Sequence, residues 1–484
     1  MTIISTLQNP AAYSHPVTQI EVIETHISWL LLTGDYAYKI KKPICFDFLD
    51  FSSLEKRHFY CQEELRLNQR LAPALYLQVV AITGDETNAK INGDGQIIDY
   101  AVQMRQFPTE NLLSKQNVST AMIDELADLI AEFHTQASRI SEPASDYGSL
   151  AMIERYSLSN FQNIQPLLNN AEQLQQLNRL QHWCKYELNN KALLIEQRKT
   201  QGFIRECHGD LHLGNIVLFH GKVTPFDGIE FNPALHWIDV IDEIAFLVMD
   251  LEERGLNHLA YRCLNRYLSQ TGDYQGLSVL NYYLVYRALV RAKVALLSWQ
   301  QHQHAQYLNF YQNYADLAER FIQIKPASLI ITHGYSGSGK STVSAKLAEQ
   351  FSWIQLRSDV ERQRLFANTG QNIYSKEKTA QTYQQLAKLA SEILNAGFSV
   401  IVDATFLKKQ QRQLFKDLAF KQQVKFMILD LQASIEELTQ RIKKRQNIGI
   451  DVSEATLEVL QQQLIEAEPL SDDEQQYVMT EFLN

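Results

Sequence analysis

Residues 206–217 read ECHGDLHLGNIV. His208 and His212 flank Asp210, and Asn215 follows that aspartate by five positions. A zinc site needs three or four converging nitrogen, sulfur or oxygen ligands; beyond these two histidines only His220 is close in sequence. An ordinary turn between strands also fits so short a stretch. A third reading is a loop for phosphoryl transfer, in which an aspartate accepts the proton of an acceptor hydroxyl and an asparagine five positions on holds Mg²⁺. That reading requires a second metal-binding aspartate after a hairpin. VTPFDG at 223–228 supplies it as Asp227. Three residues at the required spacing, Asp210, Asn215 and Asp227, are more specific than His-Gly-Asp alone.

The HGDxHxxN pattern resembles that of aminoglycoside phosphotransferase-like kinases, a small-molecule branch of the protein-kinase fold. The resemblance implies that Asp210 is the base, with Asn215 and Asp227 on Mg²⁺, in a bilobal domain where a strand lysine, paired to a glutamate on the next helix, holds ATP. TGDYAYKIKKP at 33–43 offers Lys39 and Lys41, which alternate onto one strand face. Lys39, between Tyr38 and Ile40, is preferred. On the helix, Glu64 shares a face with Cys61, Leu65 and Asn68, whereas Glu63 falls toward Tyr60 and Arg66. Glu64 is therefore the expected partner. The glycine-rich nucleotide loop is reduced to Thr33-Gly34. Asp242, in IDEIAFL, resembles the downstream aspartate that steadies the catalytic loop in this branch.

Outward from that loop, residues 22–51 read as short strands with a hairpin at Thr33-Gly34-Asp35. Ser52 and Glu55 have capping-box spacing and predict a helix running to about Leu71, before Pro73. Strand-like runs follow at 76–83 and 96–104, helices over 119–200, three strand patches between 202 and 227, and helices again over 237–323. Near Pro326 the pattern restarts: PASLIIT, a glycine loop, a helical run, then strand candidates at 353–358, 399–404 and 425–431 alternating with helices. That is the rhythm of a parallel α/β sheet. Two domains are expected, 1–325 and 326–484.

The glycine loop is HGYSGSGKST, residues 333–342. It fits GxxxxGK[ST] between a strand and a helix, the context this motif requires. Gly334, Gly337 and Gly339 let backbone N–H groups close around phosphate oxygens at a helix N-terminus, with Lys340, Ser341 and Thr342 opening the helix. Lys340 reaches the β and γ phosphates and Ser341 holds Mg²⁺ in such a loop. Asp359 and Arg362 follow the second strand candidate, in position to accept a hydroxyl proton and to bind substrate. Asp403 ends a strand at a Walker-B-like position, beside Mg²⁺. Arg441 and Arg445 share a helix face, with Glu437 one turn before as an ion-pair partner. The S-D-x-x-R run resembles small P-loop kinases of the zeta-toxin, gluconate-kinase and polynucleotide-kinase group. The resemblance implies that Asp359 is the base and that Arg441 and Arg445 form a lid over ATP. It extends through Asp451, Ser453 and Glu454.

The chain has 484 residues and a net charge of −10, of which −9 lies in 1–325 and −1 in 326–484. That balance disfavours a broad nucleic-acid surface. Five scattered cysteines without a CxxC predict reduced thiols. With no basic-then-apolar leader in MTIISTLQNP and no apolar run of membrane-spanning length, a cytoplasmic protein is expected. FLDFSSLEKR and ELRLNQRLAPALY also resemble bacterial bifunctional aminoglycoside phosphotransferase-like/ATP-binding proteins, which join the same two domains in the same order. The expected function is ATP- and Mg²⁺-dependent phosphoryl transfer at two sites to hydroxyl-bearing small molecules. The alternatives are a nucleotide-sensing protein with one active module, and a nucleic-acid end kinase in the second domain.

Overall fold

The structure is a computed structural model that describes residues 3–46, 49–140, 145–367, 373–448 and 456–479. Two compact units cluster in space: Met1–Ser159 with Ala192–Asp250, and Asn160–Lys191 with Leu251–Asn484.

The first unit is built on an antiparallel sheet of β1 (Glu21–Glu24), β2 (Ser28–Leu32), β3 (Tyr36–Lys41), β4 (Tyr76–Thr83), β5 (Lys90–Ile91) and β6 (Ile97–Arg105). The spatial order is β1-β2-β3-β6-β4-β5. Gly34, at φ +101°, turns the chain between β2 and β3, where a side chain would strain the backbone. Strand alternation sorts the faces. Tyr38 and Ile40 of β3 pack with Leu31, Val80 and Ala101, whereas Ala37 packs on the other side with Cys61. Lys39 and Lys41 share the face of Ala37.

Helix α1 (Leu54–Asn68) lies against that face through Cys61 and buries Glu64 and Asn68 on the same stripe. Its N-cap is Ser53, which accepts from the Lys56 amide, and not the expected Ser52. Ser52 instead donates its hydroxyl to Asp50 Oδ1 at 2.6 Å, so its oxygen serves the preceding turn. The helix also ends at Asn68, short of Leu71, where Gln69 caps it through Leu65 O.

Beyond α2 (Thr120–Gln136), β7 (Ile204–Glu206) leads into the loop at 207–215. A hairpin follows, β8 (Ile216–Phe219) and β9 (Lys222–Pro225), turned by His220 and Gly221, both at positive φ. Residues 237–239, expected to begin a helix, form strand β10 (Trp237–Asp239) antiparallel to β7; helix α3 (Val240–Glu253) starts only after it.

In the second unit, α4 (Asn257–Thr271) and α5 (Leu277–His302) precede a parallel sheet. Its strands are β11 (Ser328–His333), β12 (Ile354–Arg357), β13 (Val400–Asp403) and β14 (Lys425–Asp430), in the order β12-β13-β11-β14. All four β13 residues are buried, as a strand covered on both faces requires. The connecting helices are α6 (Lys340–Phe351), α7 (Ser358–Phe366), α8 (Lys376–Asn395) and α9 (Lys409–Lys421), with α10 (Ile435–Ile448) beyond β14. Among the described residues no helix is long and apolar enough to cross a membrane.

Candidate active sites

In the first unit the β8–β9 hairpin places the two ends of the loop side by side. Ile216 pairs with Pro225, and the Phe226 amide donates to Asn215 O at 2.9 Å. Asn215 and Asp227 therefore emerge from neighbouring strand ends. Asn215 Nδ2 donates to Asp210 Oδ2 at 2.8 Å and to Asp210 O at 3.1 Å. With its N–H groups so used, Asn215 keeps its amide oxygen for a cation. An amide oxygen and a carboxylate are hard donors suited to Mg²⁺, so the residues present fit that ion.

Both histidines of the loop serve its backbone. His208 Nε2 bonds Phe226 O at 2.8 Å, and its Nδ1 accepts from the Asp210 amide at 3.3 Å. These partners fit a neutral ring with the proton on Nε2. Burial pushes the His208 pKa down, although nearby Glu243 and Asp210 oppose it. His212 Nδ1 accepts from the Gly214 amide at 3.0 Å, and its Nε2 lies 3.5 Å from Asp210 Oδ2.

The loop is also held from helix α3, by residues that sequence reasoning missed. Glu243 accepts from the His208 amide at 2.9 Å and the Gly209 amide at 2.6 Å, and His134 Nε2 lies 3.2 Å from it. Burial alone would raise the Glu243 carboxyl; the His134 contact and the backbone amides hold it down at about 2. Asp250 accepts from the Leu213 amide at 2.9 Å. Asp242, the expected steadying acid, is buried one residue before Glu243. The available signal was an acidic pair, Asp242-Glu243, inside an otherwise apolar run. His134, Cys207 and Glu243 lie close enough to hold a metal. Glu243 already uses both oxygens on the loop amides and Cys207 Sγ donates to Ile238 O at 3.7 Å, so Glu243 and His134 read as a hydrogen-bonded bracket for the loop.

The lysine cluster closes the site. Lys39 Nζ lies 2.8 Å from Glu64 Oε1 and 2.5 Å from Asp227 Oδ1. Lys41 pairs with Glu64 Oε2 at 2.7 Å and also with Glu230. Burial would depress Lys39, but Asp227, Glu64 and Glu230 hold its pKa well above the usual value. Glu63 instead pairs with Arg66 on the outer side of the helix. Lys41 is the other lysine that strand alternation offered, and it shares Glu64 with the preferred Lys39; Glu230 was not expected, because nothing local announced an acid at 230.

In the second unit, Gly334, Gly337 and Gly339 all have positive φ. A Cβ on Gly334 would lie 2.5 Å from Leu431 O, so the loop accepts no side chain there. Lys340 Nζ donates to Tyr335 O at 2.7 Å. Ser341 hydrogen-bonds Asp403, whose carboxyl burial pushes up, with Lys340 opposing. A hydroxyl and a carboxylate so joined are again hard oxygen donors that fit Mg²⁺. Lys340, Ser341, Thr342, Asp359, Arg362 and Asp403 all line one cavity of about 1130 Å³. Arg362 donates to Ile373 O and Thr379 Oγ1 and stacks over Tyr374, while its buried Nε has no hydrogen-bond partner among the described residues. Arg441 reaches Gly337 O at 3.4 Å and Glu437 at 3.8 Å, so the loop contact and the surface pair coexist. The side chain of Arg445, and Asp451, Ser453 and Glu454, lie outside the described residues.

The profile of the family described as phosphotransferase enzyme family matches residues 51–228, and that of the AAA domain matches 329–470. The chain joins a phosphotransferase domain to a P-loop domain. It is an enzyme of the kinase class with two modules. The phosphotransferase match contains Glu64, Asp210, Asn215 and Asp227; the P-loop match contains every P-loop residue named above. An uncharacterized protein of Mycobacterium tuberculosis, Rv2004c, is 28% identical over 462 residues, spanning 92% of this chain and 90% of its own. Mb2027c of Mycobacterium bovis matches equally. Among solved structures, a choline/ethanolamine kinase family protein from Mesorhizobium loti aligns over 66% of this chain and 93% of its own at 11% identity, TM-score 0.39. A putative kinase from Chloroflexus aurantiacus aligns over 29% and 76% at 23% identity, TM-score 0.26.

Proposed function

We propose that each module transfers the γ-phosphoryl group of ATP to a hydroxyl of a small molecule, with functional modules at 1–325 and 326–484, in the cytoplasm. The single observation that carries the reading is the convergence of Asp210, Asn215, Asp227, Lys39 and Glu64 in one cluster, drawn from strand β3, helix α1, the 207–215 loop and the segment after β9.

In the phosphotransferase module Asp210 takes the acceptor proton, oriented by Asn215 and His212. Lys39, kept cationic by its carboxylates, holds ATP phosphate, and Glu64 keeps Lys39 in place. Asn215 and Asp227 would hold Mg²⁺, which supplies charge neutralisation at the phosphates when bound. In the P-loop module the glycine loop and Lys340 bind phosphate, Ser341 and Asp403 would hold Mg²⁺, Asp359 takes the acceptor proton, and Arg362 contacts the acceptor. Arg441, which reaches Gly337 O of the glycine loop, closes over the nucleotide. Catalysis in both is positioning and charge stabilisation.

The test is a metabolite extract incubated with γ-labelled ATP, Mg²⁺ and the full chain. Labelled organic products support the reading; label released only as inorganic phosphate would replace it with a nucleotide-hydrolysing switch.

A further inference from the structure

A parallel sheet leaves its edge strand with unpaired backbone groups on the outer side. In the second unit β12 is one of the two edges, and α4 covers it. Asn265 Nδ2 donates to Trp353 O at 2.9 Å, and its Oδ1 accepts from the Gln355 amide at 2.7 Å. One side-chain amide thus supplies both bonds a neighbouring strand would make. The contact continues inward. Gln355 Nε2 donates to Ser344 Oγ at 2.8 Å and to Ser341 O at 3.3 Å, in the first turns of α6. Two residues beyond Gln355 the strand ends, and α7 begins with Ser358-Asp359.

The same helix grips both flanking elements. Arg262 pairs with Glu349 of α6 at 2.6 Å. Arg364 of α7 donates to Ser269 O at 2.6 Å and packs on Gly272, where a Cβ would lie 2.8 Å from its Nε. Gly272, at φ +73°, ends α4 in the left-handed conformation that this approach requires. The buried Tyr274 also meets Arg364.

We infer that α4 is a positioning element of the P-loop site, acting through Asn265 and Gln355 to fix the phosphate-binding helix α6 against the Asp359-bearing helix α7. Residues 257–271 precede the glycine loop by more than a whole helix and lie outside the P-loop sequence pattern, yet they set its geometry. The inference rests on the P-loop reading of nucleotide binding.

The test uses the full chain in a Lys39→Ala background, so that the P-loop site dominates binding of a fluorescent ADP analogue. Peptide hydrogen exchange is followed over 334–345 and 353–359. Asn265→Ala is expected to speed exchange in both peptides and weaken ADP-analogue binding by about tenfold. Asn265→Asp keeps the acceptor for the Gln355 amide and is expected to fall between. Gln355→Ala should weaken binding while Asn265 still covers the edge; if Asn265→Ala does not fold, this variant decides by the same readouts. Faster exchange confined to 353–359 with unchanged binding would overturn the inference and leave α4 as a cover. Unchanged binding in Lys340→Ala would instead remove the P-loop reading itself, and the inference with it.

Discussion

Glu64 bridges two lysines of one strand: its Oε1 lies 2.8 Å from Lys39 and its Oε2 lies 2.7 Å from Lys41. The two lysines have different second partners, Asp227 for Lys39 and Glu230 for Lys41. Their replacement should therefore differ in kind. Lys39→Met is expected to lower turnover at the phosphotransferase site by about 100-fold with little change in melting temperature. Lys41→Met strips a fully buried cation from two buried acids and is expected to cost about 3–5 kcal/mol of stability. Steady-state kinetics and thermal unfolding of the two variants separate these outcomes; equal effects on both measures would refute the division of labour.

Glu243 gives the 207–215 loop a pH limit. Its folded pKa, about 2, lies below the ordinary value of 4.5. Its stabilisation is thus fully present above about pH 4.5 and is lost as pH falls toward 2. The shift corresponds to about 3 kcal/mol. Glu243→Gln should flatten that part of the stability curve and, by weakening the anchor of the His208 and Gly209 amides, lower phosphotransferase turnover at neutral pH. Unfolding monitored across pH 2–6 for both proteins checks the sign.

Gly334 combines φ +142° with a carbonyl 2.5 Å from where a Cβ would stand. Gly334→Ala should displace the glycine loop from Leu431, at a cost of about 1–3 kcal/mol in local strain, and weaken nucleotide binding by the P-loop module. Activity of the phosphotransferase module should be retained, because Lys39, Glu64, Asp210, Asn215 and Asp227 all belong to the first unit. Nucleotide titration with separate assay of the two modules checks this.

The legible parts of the chain were those whose chemistry is local. GYSGSGKS declares a phosphate loop because the backbone geometry depends on its own glycines. Asp210, Asn215 and Asp227 could be read together because one hairpin fixes their spacing. Strand period separated Lys39 and Lys41 from Tyr38 and Ile40, and helix period separated Glu64 from Glu63. What sequence missed depends on distant partners. Glu230, His134 and Glu243 carry no motif, and their roles appear only once strand, loop and helix α3 converge. The Ser52-to-Ser53 shift has a similar cause: both serines can cap, and Asp50 claims the first. Asn265 was hidden further still, since its function is to mimic a strand that is not there in sequence.

Two phosphoryl-transfer sites on one chain should be separable by product analysis with γ-labelled ATP for wild type, Asp210→Asn and Lys340→Ala, each confirmed folded. Complementary losses are expected: Asp210→Asn abolishes one set of labelled products and spares the other, and Lys340→Ala does the reverse. Unchanged products in Asp210→Asn, or loss of the same set in both variants, would rule out two separate transfer sites.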